Sequence, residues 1–278
     1  MKTVRTIADL RAAVAGWRRD GARVGLVPTM GGLHEGHLSL IRLARERADH
    51  VIATLFVNPA QFAPNEDFGA YPRDETADKE MLSSAGAGLL YAPDISEVYP
   101  DGHATKVHVE GLSGVLEGEF RPHFFIGVAT VVSKLLIQAM ADVAVFGEKD
   151  FQQLLILRRM ARDLDIPTEI IGAPTVREAD GLAMSSRNRY LDADERRQAP
   201  ILFKTISDVA KAVTGGADPA AECAAAKSQL TAAGFGPVDY VAVRDAETLG
   251  DFADTRRPGR VLAAARLGKA RLIDNVPL

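Results

Sequence analysis

A chain of 278 residues is long enough to bury one large core or two, and its 47% hydrophobic and 25% charged residues are the balance of an ordinary globular protein. The net charge of −4 leaves no basic footprint for nucleic acid or an anionic membrane surface. A single cysteine, Cys223, excludes an internal disulfide and a cysteine-clustered zinc site, and no apolar segment is long and charge-free enough to span a bilayer. The opening Met1-Lys2-Thr3-Val4-Arg5 is not followed by the apolar block of a secretory signal, which points to the cytoplasm.

In chain order, Thr6 caps a first helix with Asp9 in its first turn. Ile7, Leu10, Val14 and Trp17 form its apolar face, so Trp17 is expected in the core, and Asp20-Gly21 ends the helix. The apolar run Val24 to Val27 reads as a strand. Pro28-Thr29-Met30-Gly31-Gly32-Leu33-His34-Glu35-Gly36-His37 follows, and then Leu38, Ile41, Ala44 and Ala48 recur at helical spacing. A strand, glycine turn and helix in that order point backbone N–H groups and the positive helix end at an anion such as phosphate. His34 and His37, three residues apart, face the same way, and each has an N–H to donate to a phosphate oxygen. The same pattern also fits a core turn with satisfied histidines.

Val51 to Val57 has the continuous apolar character of a strand buried on both faces and stops at Asn58-Pro59. Strand, helix and strand imply a right-handed crossover in a parallel sheet, whose ligands lie beyond the carboxyl ends of the strands. Asn58, Gln61 and Phe62 therefore fall beside the His34 turn, where carboxamides can hold a hydroxy acid; a solvated Asn-Pro turn is the other reading. Tyr71-Pro72-Arg73-Asp74 leads into a polar helix, Leu89 to Pro93 reads as a short strand, and Lys106 to Glu110 alternates like a half-exposed strand. His103 and His108 are expected at the surface, with no partner at metal-ligand spacing. Gly127 to Met140 is an apolar helix to be buried on most sides, with Lys134 and Gln138 its few polar positions.

Val143 to Phe146 reads as a strand, Gly147-Glu148-Lys149-Asp150 as its exit loop, and Phe151 to Asp163 as a helix with Leu154, Leu155, Leu157 and Met160 inward. This second strand-to-helix junction brings together a lysine suited to polyphosphate, an acid and Gln153. After a strand at Thr168 to Ile171 the composition turns polar, placing a domain boundary near Pro174. Within Thr175 to Asn188, Ser185-Ser186-Arg187 offers the hydroxyls and guanidinium of a phosphate clamp, or is a serine-rich linker. Asp192 with Glu195 forms a capping box for a helix through Val213, and Asp218-Pro219 starts another, with Cys223 as a small packing residue. Val238 to Val243 and Arg260 to Ala265 suggest strands. The expected fold class is α/β: a Rossmann-like parallel sheet with helices on both faces over 1–174, and a smaller C-terminal α+β lid domain over 175–278 that carries the MSSR loop.

Together, PTMGGLHEGHLSL, FVNPAQFAPNEDFGAYPR, FGEKDFQQLLILRRMARDLDIP and PTVREADGLAMSSRNRYL strongly resemble the pantoate–β-alanine ligase family, up to about Leu191. His34 to His37 corresponds to its HIGH-type motif and Met184 to Arg187 to its KMSKS-like mobile loop. The resemblance implies that pantoate and Mg–ATP form pantoyl adenylate and pyrophosphate, and that β-alanine then displaces AMP to give pantothenate. It implies that Met30, Gly31, Gly32, Leu33, His34, Glu35, Gly36, His37, Gly147, Glu148, Lys149, Asp150, Val176, Met184, Ser185, Ser186 and Arg187 surround ATP. Among these His37, His34, Lys149 and Arg187 act on the phosphates, and polyphosphate favours the charged form of His37. Gln61 and Gln153 hold pantoate, with Asn58 and Met30 beside them; Pro28, Met30 and Phe62 are suggested as the wall for its gem-dimethyl group. A homodimer is implied, with neither nucleic acid nor membrane as partner, and no residue is assigned to magnesium. The chain departs from the family at Arg121-Pro122-His123-Phe124-Phe125, where the histidine is displaced by one position and is given no role, and at Gly32, where alanine is usual. A nucleotidyltransferase that stops at an adenylylated product would share the HxGH turn, but NPxQF with paired glutamines argues for a carboxylic-acid site. The acidic balance argues against an RNA-binding relative of the synthetases.

Overall fold

The computed structural model describes residues 1–63, 68–69 and 71–278; Pro64 to Asp67 and Ala70, inside the FVNPAQFAPNEDFGAYPR stretch, lie outside the described residues. The chain divides into two compact units. The first comprises Met1–Gly114, Arg121–Glu148 and Gln153–Pro174, and the second Val115–Phe120, Lys149–Gln152 and Thr175–Leu278.

The first unit alternates strands and helices: β1 (Lys2–Val4), α1 (Ile7–Arg19), β2 (Val24–Thr29), α2 (Glu35–Arg45), β3 (His50–Leu55), α3 (Glu75–Ala85), β4 (Leu89–Tyr91) and α4 (Ile95–Val98). A four-residue helix of the second unit, α5 (Glu117–Phe120), intervenes before α6 (Phe124–Ala139), β5 (Val143–Gly147), α7 (Phe151–Asp163) and β6 (Glu169–Ala173). The strands form one parallel sheet in the order β1-β4-β3-β2-β5-β6. The order reverses between β2 and β5, whose pairing covers only Gly25 with Val143 and Leu26 with Ala144. Beyond that point the strands part, and an open parallel sheet binds its ligand at the carboxyl ends there. Val27, Ile41, Ala53, Leu82, Leu90 and Val145 meet in one of its buried cores.

The second unit packs α9 (Ile201–Thr214) and α10 (Pro219–Ala232) on an antiparallel sheet of β7 (Val238–Asp245), β8 (Gly259–Leu267) and β9 (Ala270–Pro277). Leu202, Ile206, Leu230, Phe235, Val261 and Leu272 lie in its core, and Cys223 packs at the edge of that core. The capping box at Asp192 and Glu195 forms, but it opens only α8 (Ala193–Gln198). The helix expected to run to Val213 is broken at Pro200, which has no N–H to donate and whose ring crowds the preceding turn.

Other expectations are corrected. Lys106 to Glu110 forms no strand; the Val107 N–H donates to Thr130 Oγ1 at 2.9 Å, so a side chain meets the need a ladder would. Trp17 is only half-buried and stacks on the His50 ring, with centroids 4.4 Å apart. In α7 it is Ile156 that is buried, while Leu155 is half-buried. β1 is too short to show a period, and β9 was hidden by Asp274-Asn275 and Pro277, residues depleted in strands. Among the described residues no helix is long and apolar enough to cross a membrane.

Candidate active site

In the first unit the chemistry gathers where β2 ends. Pro28 lies within β2 opposite Thr54, past the point where β5 stops pairing, so it interrupts no ladder on that side. The chain then turns through Gly31 and Gly32, with φ of +88° and +64°, a region in which residues with a Cβ are strained. The Gly32 and Leu33 N–H groups donate to the two oxygens of buried Asp78 on α3, at 3.0 and 2.9 Å. Two of the N–H groups that the turn was expected to offer to an incoming anion, those of Gly32 and Leu33, thus serve an anion of the protein. A Cβ on Gly31 would come within 2.9 Å of Asp78 Oδ2, so the glycine also makes room for the carboxylate.

His34 is the N-cap residue of α2, but its side chain makes no capping bond; its carbonyl accepts the His37 N–H at 2.8 Å. The two imidazoles meet with centroids 4.1 Å apart and planes tilted by 47°. Sequence spacing thus paired them correctly, at the positive end of a helix. Glu35 ion-pairs with Arg42 along the exposed face of α2, and that hydrogen bond holds its carboxyl below the usual range; Gly36 follows in the first helical turn.

A polar relay sets the neighbouring carboxamide. Gln61 Nε2 donates to Met30 Sδ at 2.9 Å, and Gln61 Oε1 accepts from Asn58 Nδ2 at 3.0 Å. Asn58 is 1% exposed. Its Nδ2 also donates to the Gly127 carbonyl at 3.1 Å, while its Oδ1 accepts from the Tyr99 hydroxyl at 2.7 Å and the Ala60 N–H at 3.2 Å. Asn58 therefore stands behind Gln61 as a bracket. Burial pushes the Tyr99 phenol up to about 12, against the lowering effect of its bond to Asn58, so it is a neutral donor at physiological pH. Gly127 permits this approach: a Cβ there would lie 2.3 Å from the Ala60 carbonyl oxygen. Arg121 stacks over Phe124 and donates to the Gln61 carbonyl at 3.3 Å, whereas His123 is exposed. Phe62 packs edge-on to Phe68 and Tyr71, Gln153 is half-buried on α7, and Gly147 and Glu148 close β5. Sequence reasoning missed Asp78, Tyr99 and Gly127, because each acts across a long separation and carries no local spacing.

The second unit holds the other group. Lys149 and Asp150 are half-buried in a 3-10 turn, Glu148–Asp150, and the Lys149 carbonyl accepts from Asn275 Nδ2 at 2.9 Å. The Val176 carbonyl accepts the Met184 N–H at 3.0 Å, and Arg177 bridges to Ala183, making a tight hairpin. Ser185 caps a 3-10 turn, Ser186–Tyr190, its hydroxyl accepting the Arg187 N–H at 3.3 Å; Ser186 is buried and Arg187 half-buried. Asn188 Nδ2 donates to the Ala183 carbonyl at 3.1 Å, so the serines and Arg187 are flanked by backbone that is pinned on both sides.

The model of the family described as pantoate-beta-alanine ligase matches residues 2–277. A pantothenate synthetase of Caulobacter vibrioides is 58% identical over 276 residues, covering 98% of this chain and 97% of the relative. One from Rhodospirillum rubrum is 56% identical over 273 residues, covering 98% and 97%. The crystal structure of pantothenate synthetase from Thermus thermophilus superposes with a TM-score of 0.93 at 47% identity, covering 99% of both chains. That of pantoate-beta-alanine ligase from Francisella tularensis, complexed with beta-gamma ATP and beta-alanine, superposes with a TM-score of 0.84 at 31% identity, covering 99% and 97%. The chain belongs to the pantoate–β-alanine ligase family.

Proposed function

We propose that the residues gathered in the two units serve an ATP-dependent ligation of pantoate with β-alanine to pantothenate, AMP and diphosphate. A carboxylate does not condense with an amine unaided, because its leaving group is oxide. In the first half-reaction one carboxylate oxygen of pantoate attacks the α-phosphorus of ATP; the new P–O bond forms as the α–β bridging bond breaks, and diphosphate departs with the negative charge. In the second, the neutral amine of β-alanine attacks the acyl carbon, AMP leaves with the C–O bonding pair, and the amine proton is lost to solvent.

Both steps need alignment and stabilisation of phosphate charge more than covalent help. The observation that carries the assignment is the His34–His37 ring contact at the start of α2, with Gln61 oriented beside the same turn by Met30 and Asn58. His34 and His37 donate to the phosphates, His37 giving acid-type assistance to the departing diphosphate. Lys149 and Arg187 add positive charge, with Ser185 and Ser186 as neutral donors. Gln61 and Gln153 hold pantoate; Met30, Pro28 and Phe62 supply apolar surface, and Asn58 acts through Gln61. The segments Met30 to His37, Gly147 to Asp150, Val176 and Met184 to Arg187 surround the nucleotide, and the chain divides into domains near Pro174, apart from the short segments Val115–Phe120 and Lys149–Gln152 that cluster with the second unit.

Among the described residues no three His, Cys, Asp or Glu side chains gather as a metal cage. Magnesium, implied by the family resemblance, would enter with the nucleotide and neutralise phosphate charge there. A cytoplasmic location suits an ATP-using protein with one free cysteine, Cys223, and a homodimer follows the family resemblance; sedimentation of the purified chain tests the latter. The function is tested by isotope exchange between diphosphate and ATP, which must require pantoate and proceed without β-alanine. Exchange without pantoate, or none with it, overturns the reading.

A further inference from the structure

Strand β9 carries two adjacent buried polar residues, Asp274 and Asn275, that the ligation chemistry does not use. The Asn275 carboxamide is sorted by its partners. Its Nδ2 donates to the Lys149 carbonyl at 2.9 Å, and its Oδ1 accepts from Arg260 Nη1 at 2.5 Å. A carbonyl only accepts and a guanidinium only donates, so the amide has one orientation. Arg260, also buried, lies with its guanidinium 3.8 Å from the centre of the Phe151 ring, two residues beyond Lys149. The Lys149 segment is thus gripped at its carbonyl and again at Phe151.

Asp274 supplies the other half. It accepts the Asn275 N–H at 2.7 Å and binds Arg177 through both oxygens, at 2.6 and 2.9 Å. Arg177 donates in turn to the Gly181 carbonyl at 3.0 Å and stacks on Phe203, within the hairpin that leads to Met184. All these residues belong to the second unit.

We propose that Asn275 is a positioning residue for Lys149: it fixes the peptide from which the lysine side chain springs and, with Asp274, ties that peptide to the hairpin before Ser185. A lysine has a flexible four-carbon stem, so the direction of its ammonium is only as well defined as its backbone. This inference rests on the reading of Lys149 as a phosphate-binding group.

Asn275→Asp tests it. The substitution preserves shape and the Arg260 contact but sets a carboxylate oxygen against the Lys149 carbonyl. Pantoate-dependent exchange should fall about 10- to 100-fold, as for a small misplacement of a charge-stabilising group, with a raised KM for ATP and a cooperative thermal unfolding transition retained. Added to Lys149→Ala, the same change should lower exchange less than about twofold further, because its effect passes through the lysine. Full additivity in the double variant, or wild-type exchange in Asn275→Asp while Lys149→Ala loses it, overturns the positioning role and leaves the lysine reading intact. Unchanged exchange in Lys149→Ala strikes the lysine reading itself. Should Asn275→Asp not fold, Asn275→Ser enters the same cycle with the same criteria.

Discussion

The carboxylate of Asp78 is the most informative single group to perturb in the first unit, because it holds the turn on which both histidines ride. Its oxygens accept from Gly32 and Leu33 at 3.0 and 2.9 Å, and it is 5% exposed. Hydrogen bonds to a charged group contribute about 1.5–3 kcal/mol each. Asp78→Asn keeps one accepting oxygen but turns an NH2 toward the other amide, so one bond is lost to an opposition of donors. The expected destabilisation is about 2–3 kcal/mol, which a fold with roughly 5–15 kcal/mol of stability survives. Trp17, the one tryptophan, lies in α1 of the same unit and reports its unfolding in urea by fluorescence. Exchange between diphosphate and ATP should fall at least about tenfold below the denaturation range, since the imidazoles lose their fixed origin. Stability within about 0.5 kcal/mol of wild type together with normal exchange would refute the reasoning, because surface changes fall within that margin.

His37→Ala should lower exchange by about 10²–10³, the usual loss for one charge-stabilising donor, with little change in the urea midpoint; wild-type exchange would remove His37 from the phosphate site. Gln61→Ala should raise the KM for pantoate while leaving that for ATP near wild type, and equal changes in both would count against its assignment to the acid. Gly127→Ala forces a Cβ to 2.3 Å from the Ala60 carbonyl oxygen, so it should cost about 1–3 kcal/mol and raise the KM for pantoate by displacing Gln61; an unperturbed variant would show that this approach is not tight. Burial raises Tyr91 and Tyr99 to about 12, whereas an unfolded tyrosine titrates near 10. Between those values the unfolded chain has released protons that the folded chain keeps, so stability falls as pH rises through this window and is unaffected by these groups below it. Urea midpoints at pH 9, 10 and 11 check the sign, and Tyr99→Phe should lessen the slope.

Legibility in the sequence followed the range of the interaction. The β2–turn–α2 unit was plain because its strand run, glycines and helical spacing are contiguous, and so were the caps at Thr6, Asp192 and Asp218. Asp78 falls in a stretch that reads only as a polar helix; its role depends on α3 bringing it to a turn some 45 residues earlier. From sequence Asn58 reads as a ligand group or as part of a solvated turn, since nothing local tells an exposed carboxamide from one enclosed by Tyr99, Gly127 and Gln61. Pro200 broke a helix whose capping box was correctly identified, a case of local steric exclusion overriding a good start signal. The carboxyl-terminal strand escaped notice because Asp274 and Asn275 have poor strand propensity, and they are tolerated there because Arg177, Arg260 and the Lys149 carbonyl satisfy them.

The central claim is that a carboxylate oxygen of pantoate attacks the α-phosphorus of ATP. Pantoate labelled with oxygen-18 in its carboxylate, turned over with ATP and β-alanine, tests it directly by mass spectrometry of the products. The account predicts one labelled oxygen in AMP and none in diphosphate, because AMP departs with the oxygen that bridged acyl carbon and phosphorus. Unlabelled AMP, or label appearing in inorganic phosphate with ADP as co-product, would contradict it.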